Sequence, residues 1–226
     1  MNLNKILAIS ESVQINDHRF VGQMLSRNQR ISTSEILTVV PFEFTLRPMN
    51  YLLYSQNRNL LVELRKKDKA LEQFLNFGST GWINYIEYQG DMTSGAIAAC
   101  QWQTSSANKT LVLGNLPSIS ATAFIVKAGD FCQVGRYTYI ATEDVLRGTN
   151  STVNIPVHRP LIATLASPVS AVIGQYGITQ PLGGFAYTGV TFPVILREYP
   201  TYTLMPYYND SYIAWDGTFK AFEAVL

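Results

Sequence analysis

The sequence predicts a mainly β protein, built as a β-barrel or sandwich, with one or two helices in its N-terminal third and so α+β overall. Three observations lead there. From Trp82 onward, apolar and aromatic residues fall in short runs, many of them at period two. Gly, Pro, Asn and Asp separate those runs; Gly129-Asp130 and Gly90-Asp91 are turn pairs that supply a positive φ or a side-chain-to-backbone bond. Only residues 49–77 carry a good helical repeat.

Taken in order, Ile6 to Ile9 and Ser12 to Ile15 read as strands, with Asn16-Asp17 as a turn. Arg27-Asn28-Gln29-Arg30 reads as the polar tip of a hairpin. Ile36 to Leu46 carries Leu37, Val39, Phe42, Phe44 and Leu46, mostly alternating, as a half-buried strand requires. After Pro48, Tyr51, Leu52, Tyr54 and Ser55 fit a short helix. Leu60, Leu61, Leu64, Leu71, Phe74 and Leu75 fall near the i, i+3, i+4, i+7 template, with Arg65-Lys66-Lys67-Asp68-Lys69 on the solvated face. A break near Arg65 into a strand plus a shorter helix is the alternative.

Trp82 to Tyr88 reads as a strand with Trp82, Asn84, Ile86 and Tyr88 on one face. Ile97 to Gln103 and Thr110 to Leu113 read as strands before the Pro117 loop, and residues 128–145 as turn, strand, turn, strand. Residues 166–184 are spaced by Gly, Ser and Pro and read as a long loop or an arm. The chain then returns to strands at Thr191 to Tyr199, Tyr202 to Met205, Tyr212 to Trp215 and Phe219 to Val225. The expected division is 1–90, strands plus helix, and 91–226, the β-rich part; one continuous domain with an arm at 166–184 is the alternative. No internal repeat is evident, which argues against solenoids and propellers.

Composition narrows the function. A chain of 226 residues with 47% apolar content buries a sizeable core and is not disordered. Only 15% of residues are charged, against about 25% in ordinary domains. Such a surface is rich in amides and hydroxyls, covered by other subunits, or both. A net charge of +1 gives no pull toward nucleic acid or an anionic membrane. No run approaches the roughly 18 apolar residues of a membrane span. Ile6-Leu7-Ala8-Ile9 is shorter than the core of a signal peptide. Cys100 and Cys132 read as buried small hydrophobes, with a disulfide between them as the alternative, and Asn108, Asn150 and Asn209, which begin Asn-X-Ser/Thr triplets, as polar turn residues.

Reactive chemistry is scarce, so no catalytic, cofactor-binding or metal-binding residue is assigned. His18 and His158 have no second His or Cys at ligand spacing, and His158 reads as a packing residue. There is no nucleophile elbow, phosphate-binding loop or dinucleotide glycine pattern. Glu143 and Asp144 are neighbours on one strand and so point to opposite faces. The aromatic tail is the densest feature: Tyr199, Tyr202, Tyr207, Tyr208, Tyr212 and Trp215 fall within seventeen residues, interleaved with Asn209, Asp210 and Asp216. It reads as β-domain core, protein interface or carbohydrate-binding surface.

The segment Lys127-Ala128-Gly129-Asp130-Phe131, with Tyr137-Thr138-Tyr139, Thr142-Glu143-Asp144-Val145, Thr152-Val153 and Pro156-Val157-His158-Arg159-Pro160-Leu161, resembles a motif of tail-tip and baseplate proteins of tailed bacteriophages. The ending is similar too, through Thr191-Phe192-Pro193-Val194-Ile195-Leu196, Tyr199-Pro200-Thr201-Tyr202 and Trp215-Asp216-Gly217-Thr218-Phe219. The resemblance implies a non-enzymatic structural protein of the virion, a distal tail or baseplate component assembled in the host cytoplasm. Its partners would be its own copies, in a ring such as a hexamer, together with the tail tube and other baseplate or hub proteins. Nucleic acid and membrane are not expected partners, and no cofactor is expected. The expected interface elements are the tip at Arg27 and Arg30, the arm from Pro168 to Gly184, and the tail at Tyr207, Tyr208, Tyr212 and Trp215. The alternatives are a carbohydrate-binding module for host attachment, using Tyr207, Tyr208 and Trp215, and a cell-wall hydrolase using Asp130 or Asp144.

Overall fold

The computed structural model describes residues 3–17, 21–25, 31–35, 40–66, 71–79, 83–103, 109–162, 168–177, 180–182 and 185–225. The protein is mainly β, with several antiparallel sheets and three α-helices among the described residues. Tyr54–Lys66, in the N-terminal third, is the substantial helix. No sheet of the described residues closes into a barrel. Two compact units interleave along the chain: Met1–Ala8 with Glu72–Val194, and Ile9–Leu71 with Ile195–Leu226.

The first unit holds two four-stranded sheets. One runs in the order Val153–Pro156, Thr110–Gly114, Gln101–Gln103, Val169–Ser170. The other runs Tyr137–Ile140, Phe131–Val134, Val172–Ile173, Tyr176–Gly177. The turn–strand–turn–strand pattern at 128–145 is therefore a real hairpin, with Val134 opposite Tyr137 and Gly135 between them at φ 59°, where a side chain would be strained. Trp102, Ile125, Tyr137, Tyr139, Ile155 and Ile173 belong to one buried cluster. Burying side chains of this size stabilises by about 1.5–3 kcal/mol each. The Trp102 indole N–H is satisfied inside by the Gln133 carbonyl at 2.7 Å.

Several expected elements differ here, each for a physical reason. The strand expected from Ile6 is the helix Leu3–Ala8, in which Leu3, Ile6 and Leu7, spaced i, i+3, i+4, are buried. The strand expected from Ile97 begins only at Gln101; before it lies the helix Ser94–Ala99, capped by Thr93, whose hydroxyl accepts from the Ala96 amide. The strand expected at Trp82 to Tyr88 does not form over its described part, residues 83–88. Side chains take the place of a ladder there. The Tyr88 amide donates to Gln175 Oε1 and the Gln89 amide to Asp130 Oδ1, both at 2.8 Å. The long loop or arm expected at 166–184 is, over 168–177, short paired strands with Ala171, Val172 and Ile173 fully buried.

The second unit contains the strands Ser10–Asp17, Phe42–Pro48 and Phe219–Glu223, paired in that order. Asn16 and Asp17, expected as a turn, pair with Glu43 and Phe42. Phe42, Phe44 and Leu46 alternate with more open positions, as the sequence predicts. The strands Val21–Leu25 and Ile31–Glu35 form the expected hairpin; its tip, with Arg27 and Arg30, lies outside the described residues. The helix Tyr54–Lys66 buries Leu60, Leu61 and Leu64, and its last turn carries Arg65 and Lys66, cations that suit its C-terminal dipole. The alternative break near Arg65 is the one that forms: Phe74 and Leu75 belong to the strand Gln73–Leu75, not to this helix.

Candidate functional site

The aromatic tail folds as the hairpin Thr201–Tyr207 and Asp210–Asp216, joined by Tyr208 and Asn209. Leu52–Leu53 pairs along the second strand, so Thr201–Tyr207 is the outer strand of a three-stranded sheet. Cross-strand partners share a face. Tyr202 opposite Trp215 and Leu204 opposite Ile213 therefore look one way, and Met205 opposite Tyr212 and Tyr207 opposite Asp210 look the other.

The first face meets the helix. Ile213 is fully buried on it, and the Trp215 ring lies 5.5 Å from Tyr202 and 5.4 Å from Phe219. Arg65 donates to the Tyr202 hydroxyl at 2.8 Å and places its guanidinium over the Tyr202 ring.

The second face is open. Met205 and Tyr207 are both exposed there, and Tyr208, at the tip, is 93% exposed. The rings form a connected strip. Tyr51 meets Tyr212 edge-on at 6.1 Å, Tyr212 packs at a tilt against Tyr207 at 4.4 Å, and Tyr207 meets Tyr208 edge-on at 4.9 Å. A hydrogen bond to Tyr207 raises the pKa of the Tyr212 hydroxyl. Tyr51, itself 65% exposed, is tied to the sheet through its amide, which donates to the Ile213 carbonyl at 2.9 Å.

Backbone strain marks this strip. Three non-glycine residues among those described have a positive φ, and two of them are Tyr51 at 64° and Tyr208 at 46°. For a residue with a Cβ the left-handed region costs about 1–2 kcal/mol. Glycine or asparagine would fill either position at less cost. Two bulky rings are thus held out into solvent at a conformational expense.

One carboxylate orders the tip. Asp210 accepts from the Ser55 hydroxyl at 2.6 Å, from the Ser55 amide at 3.2 Å and from its own neighbour's amide, Ser211, at 2.7 Å. The Ser55 hydroxyl is the main cause of its lowered pKa. The helix has no acid in its own first turn, so Asp210 supplies the N-terminal anion from the hairpin.

The sequence-predicted tail residues thus separate. Tyr207 and Tyr212 share the open strip with the tip residue Tyr208, whereas Trp215 lies on the covered face. Pro168 is exposed in the first unit. Tyr51 joins the strip although the sequence placed it in a short helix; a tyrosine gives no sign of its left-handed φ, as a glycine or asparagine would.

The other candidates are engaged in structure. Asp130 is buried, and its carboxylate accepts from the Gln89 and Lys127 amides, each at 2.8 Å; burial raises its pKa. Asp144 accepts from the Ala128 amide at 2.8 Å. His158 accepts from the Ile140 amide through Nδ1 at 2.9 Å. Cys100 and Cys132 are free and buried, and burial pushes the Cys100 thiol up to about 11. Among the described residues no group of three or more His, Cys, Asp or Glu is placed to hold a metal, and no helix is long and apolar enough to cross a membrane. No protein-family model matches the sequence, and no curated protein matches it.

Proposed function

We propose that the protein is a structural component of a phage virion, a distal tail or baseplate protein that self-assembles into a ring joining the tail tube to the tip. The resemblance of the 127–161 segment and of the C-terminal strands supports the virion reading. The observation that carries the assembly reading is the open tyrosine strip, with Tyr51 and Tyr208 both held at positive φ. Strain of this kind persists where function requires it. Tyrosine covers interface area at low entropic cost, and a strip of four rings is the sort of anchor that dominates a protein interface. On this reading the low charge content follows from surface that neighbours cover.

A glycan-binding surface is the second reading, favoured by the exposure of the same rings. Sugar recognition also needs polar groups aimed at hydroxyls, and Asp210 is already spent on Ser55 and Ser211. That occupancy ranks a protein partner above a sugar.

The test is the solution mass of the purified chain by mass photometry, with negative-stain imaging. The wild type is expected to form a closed oligomer, and the double variant Tyr207→Ser, Tyr212→Ser to remain monomeric and folded. A wild type that stays monomeric with its tail partners present would sink the assembly reading. Glycan-array binding lost on Tyr207→Ser would move the surface to the second reading.

A further inference from the structure

Between the helix Tyr54–Lys66 and the covered face of the hairpin lies a cavity of about 290 Å³. Leu61, Leu64, Tyr202, Trp215 and Phe219 line it, and Arg65 adds a guanidinium. All of these residues belong to the second unit. The volume is near the lower end of small-molecule sites, and at about 30 Å³ per water it holds a ligand of on the order of ten heavy atoms.

Arg65 sets the ligand's chemistry. It is held by the Tyr202 hydroxyl and ring, and makes no ion pair with a described carboxylate. An apolar groove with a cation at its edge complements a molecule with an apolar body and an anionic end.

We propose that this cavity binds a small apolar carboxylate, its hydrocarbon body against Leu61, Leu64 and Phe219 and its carboxylate on Arg65. The site is separate from the tyrosine strip, which lies on the opposite face of the hairpin, and does not depend on the assembly reading.

The experiment is calorimetric titration of the full chain with hexanoate, and with 1-hexanol as the neutral match. Wild type is expected to bind hexanoate saturably, and hexanol at least tenfold more weakly. Arg65→Gln, an exposed change that leaves the apolar lining intact, is expected to weaken hexanoate tenfold or more while leaving hexanol unchanged. Its unfolding midpoint confirms that the variant folds. Absence of saturable hexanoate binding overturns the proposal. Equal binding of hexanol and hexanoate overturns it as well. If hexanoate instead competes with self-association at a fixed site, the cavity takes a side chain of a neighbouring copy and the small-ligand assignment fails.

Discussion

Tyr137 and Tyr139 stand on a hairpin strand in the first unit and are buried. Tyr207 and Tyr212 stand on a hairpin in the second and present their rings on an open face. Residue type and alternation are nearly the same in both. What differs is the use of each ring. Tyr139 accepts a hydrogen bond from the Ile162 amide at 3.0 Å and packs under the Arg159 guanidinium. The tail tyrosines contact one another, and two members of their strip have a strained backbone. A tyrosine that holds a fold is recognised by what satisfies its hydroxyl, and one kept for a partner by strain that the fold does not repay.

The contrast can be broken by substitution. The largest effect is expected at Tyr139→Ala, which leaves a cavity and an unmet amide and costs about 3–5 kcal/mol. Tyr212→Ala should cost less than about 1 kcal/mol in the isolated chain. Urea unfolding of the two variants measures the difference, and equal losses would erase the distinction between the hairpins. Next in size is Tyr208→Gly. It relieves the left-handed strain and is expected to stabilise the isolated chain by about 1 kcal/mol while weakening self-association at least tenfold. A variant that is less stable and assembles normally would show that the ring belongs to the fold.

The smallest effect sharpens the comparison through pH. Hydrogen bonds from Ser55 and Ser211 favour the ionised form of Asp210, so its pKa in the folded chain lies below the unfolded value. Its contribution is complete above the unfolded value, near about 3.9, and is lost as pH falls through the lowered folded value. Helix content followed by circular dichroism should fall on acidification less steeply in Asp210→Asn than in wild type. Identical curves would remove Asp210 from the helix N-terminus.

Much of the frame was legible because it rests on patterns of single elements. Phe42, Phe44 and Leu46 alternate as a half-buried strand must, and Leu60, Leu61 and Leu64 mark the helix face that is buried. What was not legible depends on partners. Ile86 and Tyr88 alternate like a strand, but the amides of Tyr88 and Gln89 donate to Gln175 and Asp130, side chains far along the sequence. Val172 and Ile173 lie in a Gly- and Ser-rich stretch that looks like an arm, yet they are buried and pair with Gln133 and Cys132. The tail could be read as aromatic and of three possible uses. Which rings share a face follows from the register Met205 to Tyr212, and that register is a property of the pair of strands.

The burial of both cysteines has a practical consequence. Neither Cys100 nor Cys132 is exposed, and burial raises the pKa of both thiols, so at neutral pH they hold almost no thiolate for an alkylating dye. A cysteine introduced at Asn209, on the exposed hairpin tip, would be the reactive thiol of the chain without removal of the native pair. A single fluorophore there reports directly on whether the tip becomes enclosed when copies meet.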